Sequence, residues 1–191
     1  SITDDATLVY HHRYAGVKGP AGIYRMASTG GAATLVSPEL HLARLSGNGK
    51  RIAARGKELL AIDHEGRSQQ QLTITTVPAV SAGGFVISTD GAALRFTSSM
   101  DPLGSNPGHE SEQFSFAVDT GQYTQLTDAS LPAIFVPEFS DQGDIFFGSA
   151  SDLTGDNPCL NSQLFRLTPN GILEQVTTCA EGDIYTEYLR V

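Results

Sequence analysis

Ser88-Thr89-Asp90-Gly91 runs through Ala92-Ala93 into the apolar stretch Leu94-Arg95-Phe96, and this segment decides the fold. An Asx-Gly pair between apolar strands is the strongest short-range hairpin signal, because its central residues must adopt positive φ. The same order returns as Ser46-Gly47-Asn48-Gly49 before Arg51-Ile52-Ala53, and as Ser140-Asp141-Gln142-Gly143 before Ile145-Phe146-Phe147. A weaker copy, Thr3-Asp4-Asp5-Ala6 before Leu8-Val9-Tyr10, opens the chain.

A second signature follows each of the first. An apolar strand leads into a Gly, and a Leu or Val stands five or six residues later. The copies run Ile23-Tyr24-Arg25-Met26 to Gly30 and Leu35, and Leu59-Leu60-Ala61-Ile62 to Gly66 and Leu72. Phe114-Ser115-Phe116 leads to Gly121 and Leu126, and Leu164-Phe165-Arg166-Leu167 to Gly171 and Val176. The first signature begins at positions 3, 46, 88 and 140, so the spacings are 43, 42 and 52 residues. Units of this length, each with about four short antiparallel strands and no 3.6-residue periodicity, predict an all-β fold: a β-propeller of four four-stranded blades. The expected blades are 1–38, 39–78, 79–129 and 130–180, forming one domain over 1–191.

Ser-x-Asp-Gly entering an apolar strand, then a strand ending in Asp-x-x-Gly with a Leu-Thr exit, resembles the TolB-type, WD-repeat-like β-propeller repeat of bacterial proteins. The departures are Asp5-Ala6 in place of Asp-Gly, the absence of tryptophan, and four repeats where that family has six or more. The resemblance implies a propeller fold and is silent on activity.

The C-terminal segment 183–191 alternates as a strand does, with no turn after it, whereas the first repeat lacks a long first strand. The expectation is that 183–191 pairs into blade one and removes the open edge. Exchange of this strand between two chains would give a dimer instead of a monomer.

Loops between the second and third strands differ in length. Blade two has only Gly56-Lys57-Glu58, whereas blade one inserts 12–22, and blades three and four carry the related Asp101-Pro102-Leu103-Gly104-Ser105-Asn106-Pro107 and Asp152-Leu153-Thr154-Gly155-Asp156-Asn157-Pro158. Long loops on a rigid scaffold carry binding function in many folds. The expected rim residues are Arg13, Lys18, Asp101, Asn106, His109, Asp152, Asp156 and Asn157. The alternative is that Asx turns and Pro in these segments only shape the hairpins. Asp152, Asp156 and Asn157 could offer oxygens to Ca²⁺, but the EF-hand alternation and terminal Glu are missing, so no cofactor or metal is expected. His41, Arg44, Glu138 and Glu187 fall in candidate innermost strands and would line a central channel.

No Gly-x-Ser-x-Gly, His-Glu-x-x-His or Gly-rich phosphate loop is present, and His11-His12 point to opposite faces of a strand. Twelve Lys and Arg against 21 Asp and Glu, a net charge of −9, speak against a nucleic-acid partner or an anionic membrane. No apolar run is long enough for membrane insertion as a helix. No charged and then apolar leader precedes Ser1, so any export signal is expected to lie outside this sequence. Cys159 and Cys179, both in repeat four, suggest a disulfide and hence a periplasmic or secreted setting; two free thiols are the alternative. The expected function is a non-catalytic, exported binding module whose loops of blades one, three and four meet a protein or glycan. The alternatives are a propeller enzyme acting on carbohydrate or peptide at the channel mouth, and a half-propeller that assembles into a larger or dimeric one.

Overall fold

The structure is a computed structural model. It describes residues 8–13, 21–38, 40, 42–55, 58–63, 69–71, 82–129, 138–140 and 143–178, with only the backbone at 8–13, 69, 82–84 and 139. Among these residues every regular element is a strand, and the strands form four antiparallel sheets.

The first sheet orders β1 (Leu8–Arg13), β2 (Gly22–Ala27) and β3 (Thr34–Pro38). The second orders β4 (Leu42–Leu45), β5 (Arg51–Arg55), β6 (Leu59–Asp63) and β7 (Gln69–Gln71). The third contains β8 (Ala82–Ile87), β9 (Ala93–Ser98), β10 (Glu112–Ala117) and β11 (Gln122–Gln125). The fourth contains β12 (Glu138–Phe139), β13 (Ile145–Ser149), β14 (Gln163–Leu167) and β15 (Leu173–Gln175). Each sheet is a meander, with sequence neighbours as spatial neighbours. The expected closing strand 183–191 lies outside the described residues, and the described part of the first sheet has three strands.

The chain divides into two compact units, 1–74 with 87–94, and 75–86 with 95–191. In the first unit, Ile52, Ala54, Leu60 and Ile62 project from one face of the second sheet and pack against Ile23 and Leu40, with Val36 of the first sheet beside them. In the second unit, Ile145, Phe147, Phe165 and Leu167 form the apolar face of the fourth sheet, with Leu126 from the exit of the third sheet packed on it. The period of two produces these faces: Phe165 and Leu167 are buried, while Leu164 and Arg166, which alternate with them, are half-buried.

The quoted signature forms its turns locally. The Ser88 hydroxyl donates to Asp90 Oδ1 at 2.6 Å and accepts from the Ala93 amide at 2.9 Å. Asp90 Oδ1 also accepts the Ala92 amide at 2.9 Å, and Gly91 turns the chain with φ of 74°. Ser46 and Asn48 repeat this arrangement, with Lys50 and Arg51 as the amide donors. At Ser140 the turn is one residue shorter: the Asp144 amide donates to the Ser140 hydroxyl, and Gly143 to the Ser140 carbonyl. Thr168 builds the same short turn between β14 and β15, with Ile172 as the returning residue. Within the first unit two of these turns meet. The Asn48 amide side chain donates to the Asp90 carbonyl at 2.6 Å, and the Asn48 backbone amide to Thr89 at 2.8 Å.

Candidate functional site

The loops that join β9 to β10 and β13 to β14 have one design. In the first, Asp101 Oδ1 accepts the Asn106 amide at 2.9 Å, five residues on. The Asn106 side chain then donates to the carbonyls of Met100 and Glu110, and its Oδ1 accepts the Glu110 amide at 3.0 Å. In the second, Asp152 Oδ1 accepts the Asn157 amide at 2.8 Å, and the Asn157 side chain donates to Ala150 and Asn161 carbonyls. Gly104 and Gly155 take positive φ three residues after the Asp, as do His109 and Leu160 three residues after the Asn. Non-glycine residues rarely adopt that conformation, so its recurrence at matching places marks a specified loop shape. The loops are also tied to their own sheets: Ser105 donates to Gln125 Oε1, and Thr154 to Gln175 Oε1.

The expected rim residues therefore divide by position. Asn106 and Asn157 are buried, 5% and 0% exposed, and their side chains hold the loop backbone. Asp101 is half-buried; Asp152, Asp156 and His109 are exposed, with His109 Nδ1 3.0 Å from the Ser99 carbonyl oxygen. Arg13 ends β1 and is described in its backbone alone, and Lys18 lies outside the described residues. Of the channel candidates, Arg44 is exposed in β4, and Glu138 is half-buried in β12 opposite Phe146; His41 and Glu187 lie outside the described residues. Cys159 is exposed and disulfide-bonded, and Cys179 lies outside the described residues. Among the described residues no three His, Cys, Asp or Glu side chains gather where they could hold a metal ion.

Several features stand beyond the residues singled out from sequence. Leu103 and Leu160, each about half exposed, project from the two loops at fixed positions. Period-two alternation and apolar character identify a strand residue, but no pattern marks an exposed leucine in a loop. Glu112, 1% exposed, begins β10; its carboxylate accepts the Thr127 hydroxyl and the Ala129 amide. Burial pushes this carboxyl above its ordinary pKa, against the pull of those two hydrogen bonds, and Asp128 and Glu110 add to the rise.

The face of the fourth sheet opposite its apolar cluster bears a groove of about 440 Å³, lined by Ser140, Asp144, Phe146, Arg166, Glu174, Gln175 and Val176. Phe146, Arg166 and Glu174 are cross-strand partners in one row. Arg166 Nη2 lies 2.8 Å from Asp144 Oδ2 and Nη1 3.3 Å from Glu174 Oε2, so the guanidinium bridges two carboxylates. The hydrogen bond that Arg166 donates to Asp144, and the charge of that carboxylate, raise the Arg166 pKa further. The signal for this row was the charged residue inside the apolar strand Leu164-Phe165-Arg166-Leu167.

No family model matches this chain, and no curated protein matches it. Among solved structures it is similar to the crystal structure of the tricorn protease, with a TM-score of 0.62 and 11% identity. The match covers 85% of this chain and 17% of that one, so the chain spans about a sixth of its neighbour's length. That neighbour is a propeller-containing protein, and the likeness is one of fold.

Proposed function

We propose that this chain is a β-propeller module of binding, not catalysis, that presents loops 101–110 and 152–161 to a protein partner. The observation that carries the reading is the shared loop architecture: two buried asparagines hold two exposed leucines, Leu103 and Leu160, on backbones ordered before any partner arrives. Pre-organisation lowers the entropy lost on binding, and apolar side chains at fixed places supply contact area. A glycan partner is less well served, because neither loop carries a Phe, Tyr or Trp to stack on a sugar ring. The fold similarity supports the propeller class of the module, and the TolB-like turn signatures support its repeat type. Pairing of Cys159 with Cys179, the other cysteine of the chain, would staple the second loop to the segment after β15 and fits an oxidising, exported setting.

The test is site-specific photo-crosslinking in the native host. A photoreactive residue at 103 or 160 is expected to trap the same partner, while one at Asp119 or Asn170, on the β10–β11 and β14–β15 turns, traps none. Equal adducts from all four positions would refute the assignment of the loops. A second reading, a part of a larger propeller, is favoured by one observation, the 17% coverage of the tricorn protease chain.

A further inference from the structure

Charge is divided unevenly along this chain. The second compact unit, 75–86 with 95–191, carries three arginines against 14 Asp and Glu, a net of −11. The first unit carries nine Lys and Arg against seven acids, a net of +2. Loops 101–110 and 152–161 both belong to the acidic unit, and neither contains a Lys or Arg. His109 is the one residue of either loop that can carry positive charge. Asp152 and Asp156 are exposed in the loop of Leu160, and Asp101 and Glu110 are half-buried at the two ends of the loop of Leu103. Of the three arginines, Arg166 is committed to the bridge between Asp144 and Glu174. After burial, which acts most, the charges of Asp128 and Glu110 both raise the Glu112 carboxyl, so negative charge accumulates at the foot of loop 101–110.

We propose, resting on the loop reading above, that the partner of these loops is a basic segment of another protein, with Lys or Arg side chains spaced around apolar ones. Leu103 and Leu160, each about half exposed, give the apolar contacts, and the carboxylates of both loops set the sign of what surrounds them. Among the described residues no three His, Cys, Asp or Glu side chains gather closely enough to hold one metal ion. Acids spread in this way match several cations on one chain better than a single ion. A net charge of −11 also attracts a cationic partner from beyond contact distance and speeds encounter at low ionic strength. An acidic partner would meet like charge on both loops, which costs affinity.

The experiment is a titration of the oxidised, isotope-labelled 191-residue chain with three synthetic peptides of equal length, at about pH 8 so that His109 is neutral. Leucine alternates with lysine in the first peptide, with glutamate in the second and with serine in the third. The lysine peptide is expected to bind most tightly and to shift the amide resonances of 101–110 and 152–161. Its affinity is expected to fall about tenfold or more between ionic strengths of ~0.01 and ~1 M, as the screening length drops from ~30 to ~3 Å. Leu160→Ser is expected to weaken it about tenfold and Asp156→Asn about threefold, with thermal melts as folding controls. Asp119→Asn, on the β10–β11 turn at the other end of β10, is expected to change it less than about twofold. Equal binding of the three peptides, binding of the lysine peptide away from these loops, or no binding overturns the proposal. So do adducts of the purified chain with itself from a photoreactive residue at 103 or 160, which would seat a second copy there. A partner trapped at 103 and 160 whose contacting segment lacks Lys and Arg overturns the basic chemistry and leaves the loop reading standing. Equal adducts from all four crosslinking positions remove the loop reading, and the basic partner with it.

Discussion

Glu112 occupies in the third sheet the place that Gln163 occupies in the fourth. Thr127 donates its hydroxyl to the Glu112 carboxylate, and Thr177 donates its own to Gln163 Oε1 at 2.7 Å. The surroundings repeat as well: the amides of Gln113 and Leu164 donate to the same two threonine hydroxyls, at 2.9 Å each. One sheet uses a neutral amide where the other buries an acid.

The burial of Glu112 raises its pKa, so the folded state holds the proton more tightly than the unfolded state does. Its contribution to stability is therefore complete below the unfolded value, and is lost as pH rises through the elevated folded value. Unfolding in urea at several pH values between about 4 and 8 is expected to show this decline, and Glu112→Gln is expected to abolish it. At neutral pH the variant stays within about 1 kcal/mol of the parent, since the lost carboxylate penalty offsets one weakened hydrogen bond. A variant with an unchanged pH slope would show that Glu112 is not its source.

The two loop asparagines should not be equal. Asn106→Ala removes two donated bonds and leaves the buried-side partner, the Glu110 amide, without its acceptor. Asn157 makes its bonds through the amide nitrogen, and its buried Oδ1 has no hydrogen-bond partner. The expected losses are about 2–4 kcal/mol for Asn106→Ala and about 1 kcal/mol less for Asn157→Ala. Chemical denaturation of the two variants measures the difference, and the reverse order would contradict it.

Gly47 sits in the turn that touches the turn at Thr89. A Cβ at position 47 would lie 2.5 Å from Thr89 Cγ2 and 3.3 Å from Thr89 Cα. Gly47→Ala is expected to push the two turns apart and stretch the 2.6 Å bond from Asn48 to Asp90, with a loss of about 1–3 kcal/mol. In Gly47→Ala combined with Thr89→Ser, which removes the obstructing methyl, part of the loss is recovered. Equal melting temperatures for the single variant and the parent would refute the contact.

Phe96 with Phe114, and Phe147 with Phe165, are matching stacked pairs, with ring centroids 5.9 and 5.8 Å apart and interplanar angles of 23° and 21°. Phe96→Ala and Phe147→Ala are each expected to cost about 3–5 kcal/mol, with values that agree to about 1 kcal/mol. Thermal melts of both variants would show a large disparity if only one of the two sites were tightly packed.

The strands and their turns were legible in the sequence because their bonds are local. In the turn at Ser88 the partners Asp90, Gly91 and Ala93 lie within five residues, so residue order alone states the geometry. The kinship of the loops at Asp101 and Asp152 was legible for the same reason. What those loops do with their asparagines was not: burial of Asn106 and Asn157 depends on carbonyls that converge only when the loop closes.

Other features arise from register. Phe146, Arg166 and Glu174 are 20 and eight residues apart along the chain, and become one row only when β13, β14 and β15 pair. The Glu112–Thr127 contact spans 15 residues in the same way. Local chemistry thus determined which residues turn and which alternate. The tertiary structure decided which acid is buried, which leucines are displayed, and which charges meet across a sheet, because those outcomes depend on distances between strands that no single strand encodes.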